Sequence, residues 1–255
     1  MKRPPSYLLW FVLAAVSACS DGERERRGLL ERQSVLVFAA ASLTACFQAL
    51  AKDFEALHPD SKIDLHFAGT PQLVLQVREG APVDVFASAD EANMRRVIEN
   101  AKVVGRASVF ARNRLTIVVA KGNPKAVRGL ADLARADLRV VLCGPEVPAG
   151  RYARQALEKA GVVVRSLSDE PSVQAVVNKL RLGEVDAGLV YVTDWASAQE
   201  DLDAVAVAGE HNVTAAYPIV SLGAGENRTG AALFVDFVLS SAGQALLQRY
   251  GFSSP

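Results

Sequence analysis

VLVFAAASLTACFQAL, residues 35–50, is the stretch that decides the fold class. Residues 35–38 have the β-branched and aromatic composition of a buried strand, and the apolar residues after Ser42 recur at helical intervals. The strand therefore passes into a helix through a run of alanines that ends in one hydroxyl group. Ser42 is predicted to cap this helix, and the small side chains before it would let a small anion reach the N–H groups at the helix N-terminus.

Strands and helices alternate along the rest of the chain. The strands are predicted at residues 35–38, 63–67, 83–87, 115–120, 139–143, 187–192, 204–208 and 219–222. The helices are predicted at residues 43–57, from Pro71 onwards, after Asp90, and at residues 149–160, 173–182 and 229–250, the last as one long helix. Repeated strand–helix–strand units predict an α/β fold with largely parallel sheets and helices on both faces, in which ligands bind beyond the carboxyl ends of the strands.

Three further junctions repeat the pattern of small residues before a helix. They are Gly69-Thr70-Pro71, residues 147–150 and Pro171-Ser172-Val173. Residues 38–44 and 67–73 contain no Lys or Arg, which favours recognition of a ligand by neutral dipoles. Helix capping alone explains any one junction, so the pattern predicts a site only when the four are taken together.

Composition argues for a globular protein without a nucleic-acid surface. The 255 residues carry 28 basic and 28 acidic side chains, so there is no excess positive charge for nucleic acid. The sequence contains no GxSxG, HExxH or Walker A motif, and its three histidines lie in a turn, a strand and a polar loop. The sequence therefore favours binding over catalysis. A secreted hydrolase with Ser42 as its nucleophile would need a base, and no histidine stands in a recognisable setting to supply one.

The first 33 residues differ from the rest. A basic start, a short apolar run at residues 8–16 and small residues before Cys19 are typical of a secretory signal. Residues 16–19, VSAC, also resemble a bacterial lipobox. We therefore predict a signal peptide at residues 1–18, lipidation of Cys19 and a charged tether at residues 19–33, and the alternative is a plain signal peptide that ends near a cysteine. Loss of residues 1–18 would leave a net charge of −2.

Two cysteines remain besides Cys19. Cys46 falls in the first predicted helix and Cys143 ends an apolar run. They are far apart in sequence and lack CxxC spacing, so we predict two free buried thiols and no metal site, although export would permit a disulfide.

Seven segments, taken in order, resemble the molybdate-binding proteins that serve ABC importers. The segments are VFAAASLT (37–44), FAGT (67–70), REGAPVDVFASAD (78–90), PEVPAGRYA (145–153), LGEVDAGLVYVTD (182–194), YPI (217–219) and YGF (250–252). They lie in order within residues 35–252, which is nearly the whole mature chain. Any one segment could arise by chance, but the ordered set is specific.

The resemblance implies a two-lobed periplasmic-binding-protein fold of type II. Each lobe would be a mostly parallel sheet flanked by helices, with the ligand in the cleft between lobes. Lobe 1 would comprise residues 34–112 and 216–255, and lobe 2 residues 113–215.

The resemblance also implies a site for a tetrahedral oxyanion held by hydroxyl and backbone N–H groups, without direct metal ligands. The matching positions are Ser42, Thr70, Ala149, Val173 and Tyr191. Ser42, Thr70 and Tyr191 would donate side-chain hydroxyls, and the other two would donate backbone N–H groups. From its apolar neighbours alone, Tyr191 could instead be a core aromatic residue.

Two positions depart from the family pattern or stay open. Many members have a run of serines where this chain has Gly69-Thr70-Pro71, and Pro71 has no N–H to donate. Arg151 follows the PAG segment, and it could either lean toward the anion or face solvent.

The expected protein is therefore an exported, lipid-anchored monomer that captures molybdate, and also tungstate, and delivers it to an ABC permease. No cofactor, nucleic-acid partner or catalysis is expected. The open alternatives are a binding protein for sulfate or phosphate, a secreted serine hydrolase, and a ligand-sensing module that contacts a signalling partner.

Overall fold

The computed structural model describes residues 34–255. The predicted signal peptide at residues 1–18, the lipidation of Cys19 and the tether at residues 19–33 lie outside the described residues.

The described chain contains nine strands and eight α-helices. The strands are β1 Ser34–Ala40, β2 Lys62–Ala68, β3 Val85–Ala87, β4 Val103–Ala120, β5 Val140–Cys143, β6 Ser166–Glu170, β7 Ala187–Tyr191, β8 Leu202–Ala206 and β9 Thr214–Leu222. The helices are α1 Thr44–Leu57, α2 Thr70–Arg78, α3 Glu91–Asn100, α4 Pro148–Lys159, α5 Val173–Arg181, α6 Val192–Ala196, α7 Arg228–Leu239 and α8 Ser241–Arg249. Short 3₁₀ helices at Ala41–Leu43 and Leu130–Ala134 complete the secondary structure of this part of the chain.

The strands form one path with the order β2-β1-β3-β9-β4-β7-β5-β6, and β8 adds to β4. At one end β1 lies parallel to β2 and β3, and at the other end β5 lies parallel to β6 and β7. The long strands β4 and β9 connect these parallel groups through antiparallel pairings. The predicted α/β class is correct, and its parallel pairings are confined to these two groups.

Strand β4 changes partners about two thirds of the way along its length. Residues Val103 to Arg114 pair with β9, whereas Leu115 to Ala120 pair with β7 and β8. The sheet is therefore divided between two halves that a single continuous strand connects.

The core below the first junction is built from aromatic side chains. Phe47 and Phe54 of α1 are fully buried and meet Phe234 of α7 edge-on, with ring centroids 6.2 and 5.4 Å apart. Phe110 of β4 meets Phe47 at 5.7 Å. Each of these buried rings contributes roughly 1.5–3 kcal/mol, so the helix that follows the first junction is firmly anchored.

The C-terminal region corrects the prediction of one helix at residues 229–250. Helices α7 and α8 are separate and bend by 62° at Ser240. Ser240 has extended backbone angles and its hydroxyl accepts a hydrogen bond from Gly243 N at 3.2 Å, so it caps the second helix. Within residues 34–255, no single helix is long and apolar enough to cross a bilayer, and this bent pair passes only on length and composition.

Three strands differ most from the prediction. Strand β9 begins at Thr214 rather than at residue 219. Strand β6 was missed because its sequence, SLSDE, is polar and half-exposed. Strand β4 begins at Val103 rather than at residue 115. A register shift between Val104 and Ser108 interrupts its pairing with β9 near its start.

The two described cysteines are free, as predicted. Cys46 and Cys143 are both buried. Burial raises the pKa of each thiol far above its usual range, so neither forms a thiolate near neutral pH.

Candidate anion-binding site

All four junctions meet around one small cavity. The lining residues come from both halves of the sheet and are Ala40, Ala41, Ser42, Gly69, Thr70, Ala89, Val147, Pro148, Ala149, Ser172, Val173 and Tyr191. The five residues predicted from the sequence therefore lie together. None of these lining residues, which all belong to the described part of the chain, carries a charge.

Helix N-termini dominate the lining. Thr70 begins α2, Ala149 lies in the first turn of α4, and Val173 begins α5. The first N–H groups of a helix have no acceptor within that helix, and the helix dipole adds partial positive charge there. The cavity is thus a neutral surface that is rich in hydrogen-bond donors.

Tyr191 supplies the most informative polar atom in the cavity. Its side chain is fully buried, and its hydroxyl lies close to that of Tyr217 but makes no hydrogen bond of standard geometry to the described residues. Burial raises the pKa of this phenol well above its ordinary value, so it stays protonated and can donate. An unpaired buried hydroxyl is costly, and a ligand in the cavity would satisfy it.

Ser42 does not cap helix α1, which corrects the prediction. It lies inside the 3₁₀ turn Ala41–Leu43, and no side chain caps either this turn or α1. Within this turn the carbonyl oxygen of Ala41 accepts two hydrogen bonds from Thr44, one from its backbone N–H and one from its hydroxyl at 2.7 Å. The Ser42 hydroxyl is therefore left for other partners.

The partner of Ser42 is Tyr217, which the sequence reasoning missed. The two hydroxyl oxygens lie 3.0 Å apart. The Tyr217 ring is packed edge-on against Tyr191 at 5.7 Å and against Phe252 at 5.4 Å. Its position in the YPI segment was visible in the sequence, but only the fold brings it to a serine 175 residues away.

The Thr70 junction is close to the other half of the sheet. A Cβ atom on Gly69 would lie 2.1 Å from the carbonyl oxygen of Pro171, so only glycine fits in this arrangement. Pro71 lies in the first turn of α2, where its missing N–H costs no intrahelical bond. The proline therefore removes one possible donor from the cavity, and Thr70 retains its hydroxyl.

The remaining two junctions are fixed by local structure. A Cβ atom on Gly150 would lie 2.1 Å from Gly144 O, so this glycine lets α4 begin directly against the chain that leaves β5. Ser172 caps α5 by accepting from Ala175 N at 3.3 Å. These contacts hold the amides of Ala149 and Val173 at the cavity.

Asp194 is a buried carboxyl behind the cavity wall. One oxygen accepts from Tyr191 N at 3.0 Å, and the other has no partner among the described residues. Burial raises the pKa of Asp194 to about 7, and the hydrogen bond from Tyr191 N opposes this rise.

Arg151 neither lines the cavity nor extends freely into solvent. Its guanidinium donates to the Asp90 carboxylate. Asp90 also caps α3, by accepting from Asn93 N at 2.8 Å. The two options that the sequence left open for Arg151 are thus replaced by an ion pair.

Within the described chain, no histidine side chain and no metal-ligand cluster lines the cavity. His66 contacts Gln76 and Phe38, and His58 packs against Phe54. Within residues 34–255, no group of three or more His, Cys, Asp or Glu residues is placed to hold a metal ion.

A donor-lined cavity between two α/β halves defines a solute-binding protein by its architecture. The chain belongs to the bacterial extracellular solute-binding protein family, which matches residues 35–253. It is 39% identical over 223 residues to the molybdate-binding protein ModA of Mycobacterium tuberculosis (strain ATCC 25618 / H37Rv). The aligned region covers 88% of this chain and 85% of that relative.

Solved structures agree on the fold. The periplasmic molybdate-binding protein of Azotobacter vinelandii superposes with a TM-score of 0.74 at 18% identity, over 87% of this chain and 99% of that one. The sulfate-binding protein SubI of Mycobacterium tuberculosis H37Rv superposes with a TM-score of 0.78 at 18% identity, over 87% of each chain. The predicted periplasmic-binding-protein fold is therefore confirmed.

Proposed function

We propose that this protein captures molybdate, and also tungstate, outside the cytoplasm and delivers it to an ABC permease. The 39% identity to a molybdate-binding protein supports this choice of ligand. The single observation that carries the proposal is the buried, unpaired hydroxyl of Tyr191 at a cavity formed by helix N-termini.

The neutral lining fits a carrier of a dianion. A buried dianion without hydrogen bonds is unfavourable, and many oriented donors with helix dipoles offset that cost. We assign side-chain donation to Ser42, Thr70 and Tyr191 and backbone donation to Ala149 and Val173. Tyr217 would orient the Ser42 hydroxyl through its 3.0 Å contact. The protein would hold and release the anion without catalysing a reaction or using a cofactor.

We also propose that the two halves act as lobes that close over the anion. The change of partners along β4 between Arg114 and Leu115 supports boundaries within a few residues of those assigned, which are 34–112 with 216–255 for one lobe and 113–215 for the other. Donors from both lobes line the cavity, so closure would complete the site.

Membership of an extracellular family supports export of the protein. The lipid anchor at Cys19 and the monomeric state are proposals that rest on the sequence. Labelling with radioactive palmitate tests the anchor. Incorporation into the wild type but not into Cys19→Ala is expected, and a mature N-terminus at any residue other than 19 would contradict the anchor.

Two alternatives are weaker. A sulfate or phosphate carrier would share the fold, as the likeness to SubI illustrates, and the size of the cavity would have to select among tetrahedral anions. A serine hydrolase would need a base at Ser42, whereas the hydroxyl of Ser42 contacts a tyrosine whose pKa burial raises well above its usual value.

Calorimetric and thermal-shift titrations of the mature protein with molybdate, tungstate, sulfate and phosphate test the function. A ligand that binds only the folded protein raises its melting temperature. We expect a rise with molybdate and tungstate and a much smaller one with sulfate and phosphate. Ser42→Ala and Tyr191→Phe should weaken the molybdate response, and an unchanged response in both would refute the assigned site. Stabilisation by sulfate alone would refute the choice of ligand.

A further inference from the structure

Two ion pairs join the proposed lobes beside the cavity. Asp90 caps α3 and Arg96 lies within that helix, both in lobe 1, whereas Glu146 and Arg151 belong to lobe 2. Arg151 Nη1 donates to Asp90 Oδ2, and Arg96 Nη2 lies 3.0 Å from Glu146 Oε2. Together with Asn93, these four residues form what we call the rim clasp.

Hydrogen bonds connect the two ion pairs into one network. Asn93 Nδ2 donates to Asp90 Oδ2 at 3.3 Å, and Arg96 Nη1 donates to Asn93 Oδ1 at 3.3 Å. On the other lobe, Arg151 Nη2 donates to Glu146 O at 3.2 Å. The rim clasp therefore crosses between the lobes twice and has a continuous polar connection on each side.

The two pairs differ sharply in burial. The side chains of Asp90 and Arg151 are 2% and 25% exposed. Those of Arg96 and Glu146 are 48% and 66% exposed. An exposed ion pair contributes little free energy, whereas a buried carboxylate that loses its partner destabilises the protein strongly. The pair of Asp90 with Arg151 therefore carries the effect of the rim clasp.

The position of Asp90 makes its charge important for an anion site. Ala89, the preceding residue, lines the cavity, and so does Ala149, two residues before Arg151. An unpaired carboxylate at Asp90 would repel a dianion in the adjacent cavity. The guanidinium of Arg151 cancels that charge, and it does so from the opposite lobe.

We propose that Arg151 is a positioning residue, which neutralises the buried Asp90 carboxylate and thereby allows the two lobes to close over the anion. This inference rests on the proposed function and gives Arg151 no direct contact with the anion. The ion pair forms when the lobes close and separates when they open, so it slows release of the ligand more than it affects capture.

A double-mutant cycle measured with molybdate as the probe tests the proposal. Arg151→Met leaves the Asp90 carboxylate buried without a partner, and we expect at least tenfold weaker affinity, mainly from faster dissociation. Asp90→Asn removes the charge and keeps a residue that caps helices equally well. Its affinity for molybdate should therefore fall by no more than about threefold, which is less than the tenfold change that corresponds to about 1.4 kcal/mol. Asp90→Asn combined with Arg151→Met should recover most of the affinity lost in Arg151→Met.

Arg181→Met provides the matched control. Arg181 pairs with Asp201 within lobe 2, and both side chains are exposed. Its affinity should equal that of the wild type. Wild-type affinity in Arg151→Met would overturn the proposal. Equal weakness in Arg151→Met and the double variant would also overturn it, because that result indicates direct contact between Arg151 and the anion.

Hydrogen exchange of the ligand-free protein separates this inference from the proposed function. The ligand-free protein also samples the closed state, in which the ion pair protects the rim, so Arg151→Met should speed exchange at residues 88–93 and 146–151, whereas Arg181→Met should not. If the wild type binds none of the four oxyanions, the proposed function fails, and faster exchange confined to Arg151→Met still supports the rim clasp. Equal exchange in both variants overturns the rim clasp even if molybdate binds.

Discussion

The cavity and its rim use opposite chemistry although they are only a few residues apart in sequence. The cavity is lined by alanine, glycine, hydroxyl groups and helix N-termini, and no charged side chain from the described residues lines it. The rim is held by Asp90, Arg96, Glu146 and Arg151, all charged. We infer that neutral donors bind the anion and that the charged side chains of the rim control closure of the lobes. A fixed cation in the cavity would bind a dianion more tightly and would also slow its release.

The largest effect should come from placing a negative charge inside the cavity. Ser42→Asp would set a carboxylate against the bound dianion in a buried site, where like charges cost several kcal/mol. We expect affinity for molybdate to fall by about three orders of magnitude or more, since each 1.4 kcal/mol is tenfold. Calorimetric titration measures this loss.

Ser42→Asn is the matched control for that variant. Asparagine has nearly the volume of aspartate and no charge, so it should lose much less affinity. If the two variants bind equally poorly, volume rather than charge governs the cavity, and the contrast with the rim is wrong at this position.

Tyr191, which lines the cavity, and Tyr217, which lies behind it, give the next largest effect. Tyr191→Phe removes a donor to a charged ligand, which is worth about 1.5–3 kcal/mol, so affinity should fall by roughly ten- to a hundredfold. The Tyr191 hydroxyl makes no hydrogen bond of standard geometry to residues 34–255. Its removal should therefore leave the free energy of unfolding of the ligand-free protein unchanged or raise it by about 1 kcal/mol.

Tyr217→Phe should show the reverse balance. The Tyr217 hydroxyl already contacts Ser42 at 3.0 Å, so its loss should lower the free energy of unfolding by about 1 kcal/mol and weaken binding less than Tyr191→Phe does. Denaturant unfolding and titration on both variants check the pair. Equal destabilisation by both substitutions would contradict the assignment of Tyr191 as the free donor.

Closure can be tested through backbone contact rather than charge. Gly69→Ala would bring a methyl group against the carbonyl of Pro171 on the opposite lobe. We expect about tenfold weaker affinity with an unchanged melting temperature of the ligand-free protein, because the open lobes accommodate the methyl group. Gly209→Ala, which meets no atom within 4 Å, is the control. Wild-type affinity in Gly69→Ala would show that the lobes adjust at this contact.

Local features of this comparison could be read from the sequence, but the long-range ones could not. The cap at Asp90 follows from residue type and spacing. The contact of Ser42 with Tyr217 and the pair of Asp90 with Arg151 connect residues 175 and 61 positions apart, so they depend on how the strands pair. The resemblance to a known family identified the five cavity residues. It did not assign a role to Arg151, the residue at the centre of the rim clasp.

The smallest expected effect on binding concerns Asp194, a buried carboxyl behind the neutral cavity. Its pKa is about 7 in the folded protein, against an ordinary value of 3.8, because burial disfavours the charged form. The folded state therefore holds the proton more tightly than the unfolded state does. The resulting stability is fully present below pH 3.8 and is lost as the pH rises through about 7.

Asp194→Asn removes this titration and is expected to flatten part of the pH profile of stability. The difference in the free energy of unfolding between wild type and variant should change by up to about 4 kcal/mol between pH 4 and pH 8, with the wild type losing relative stability as the pH rises. Molybdate affinity of the wild type should also fall above pH 7 relative to the variant, because an ionised Asp194 adds negative charge near Tyr191 and Tyr217. Parallel profiles for the two proteins, measured by urea unfolding and by titration at each pH, would show that Asp194 does not titrate in this range and that the neutrality of the cavity does not depend on it.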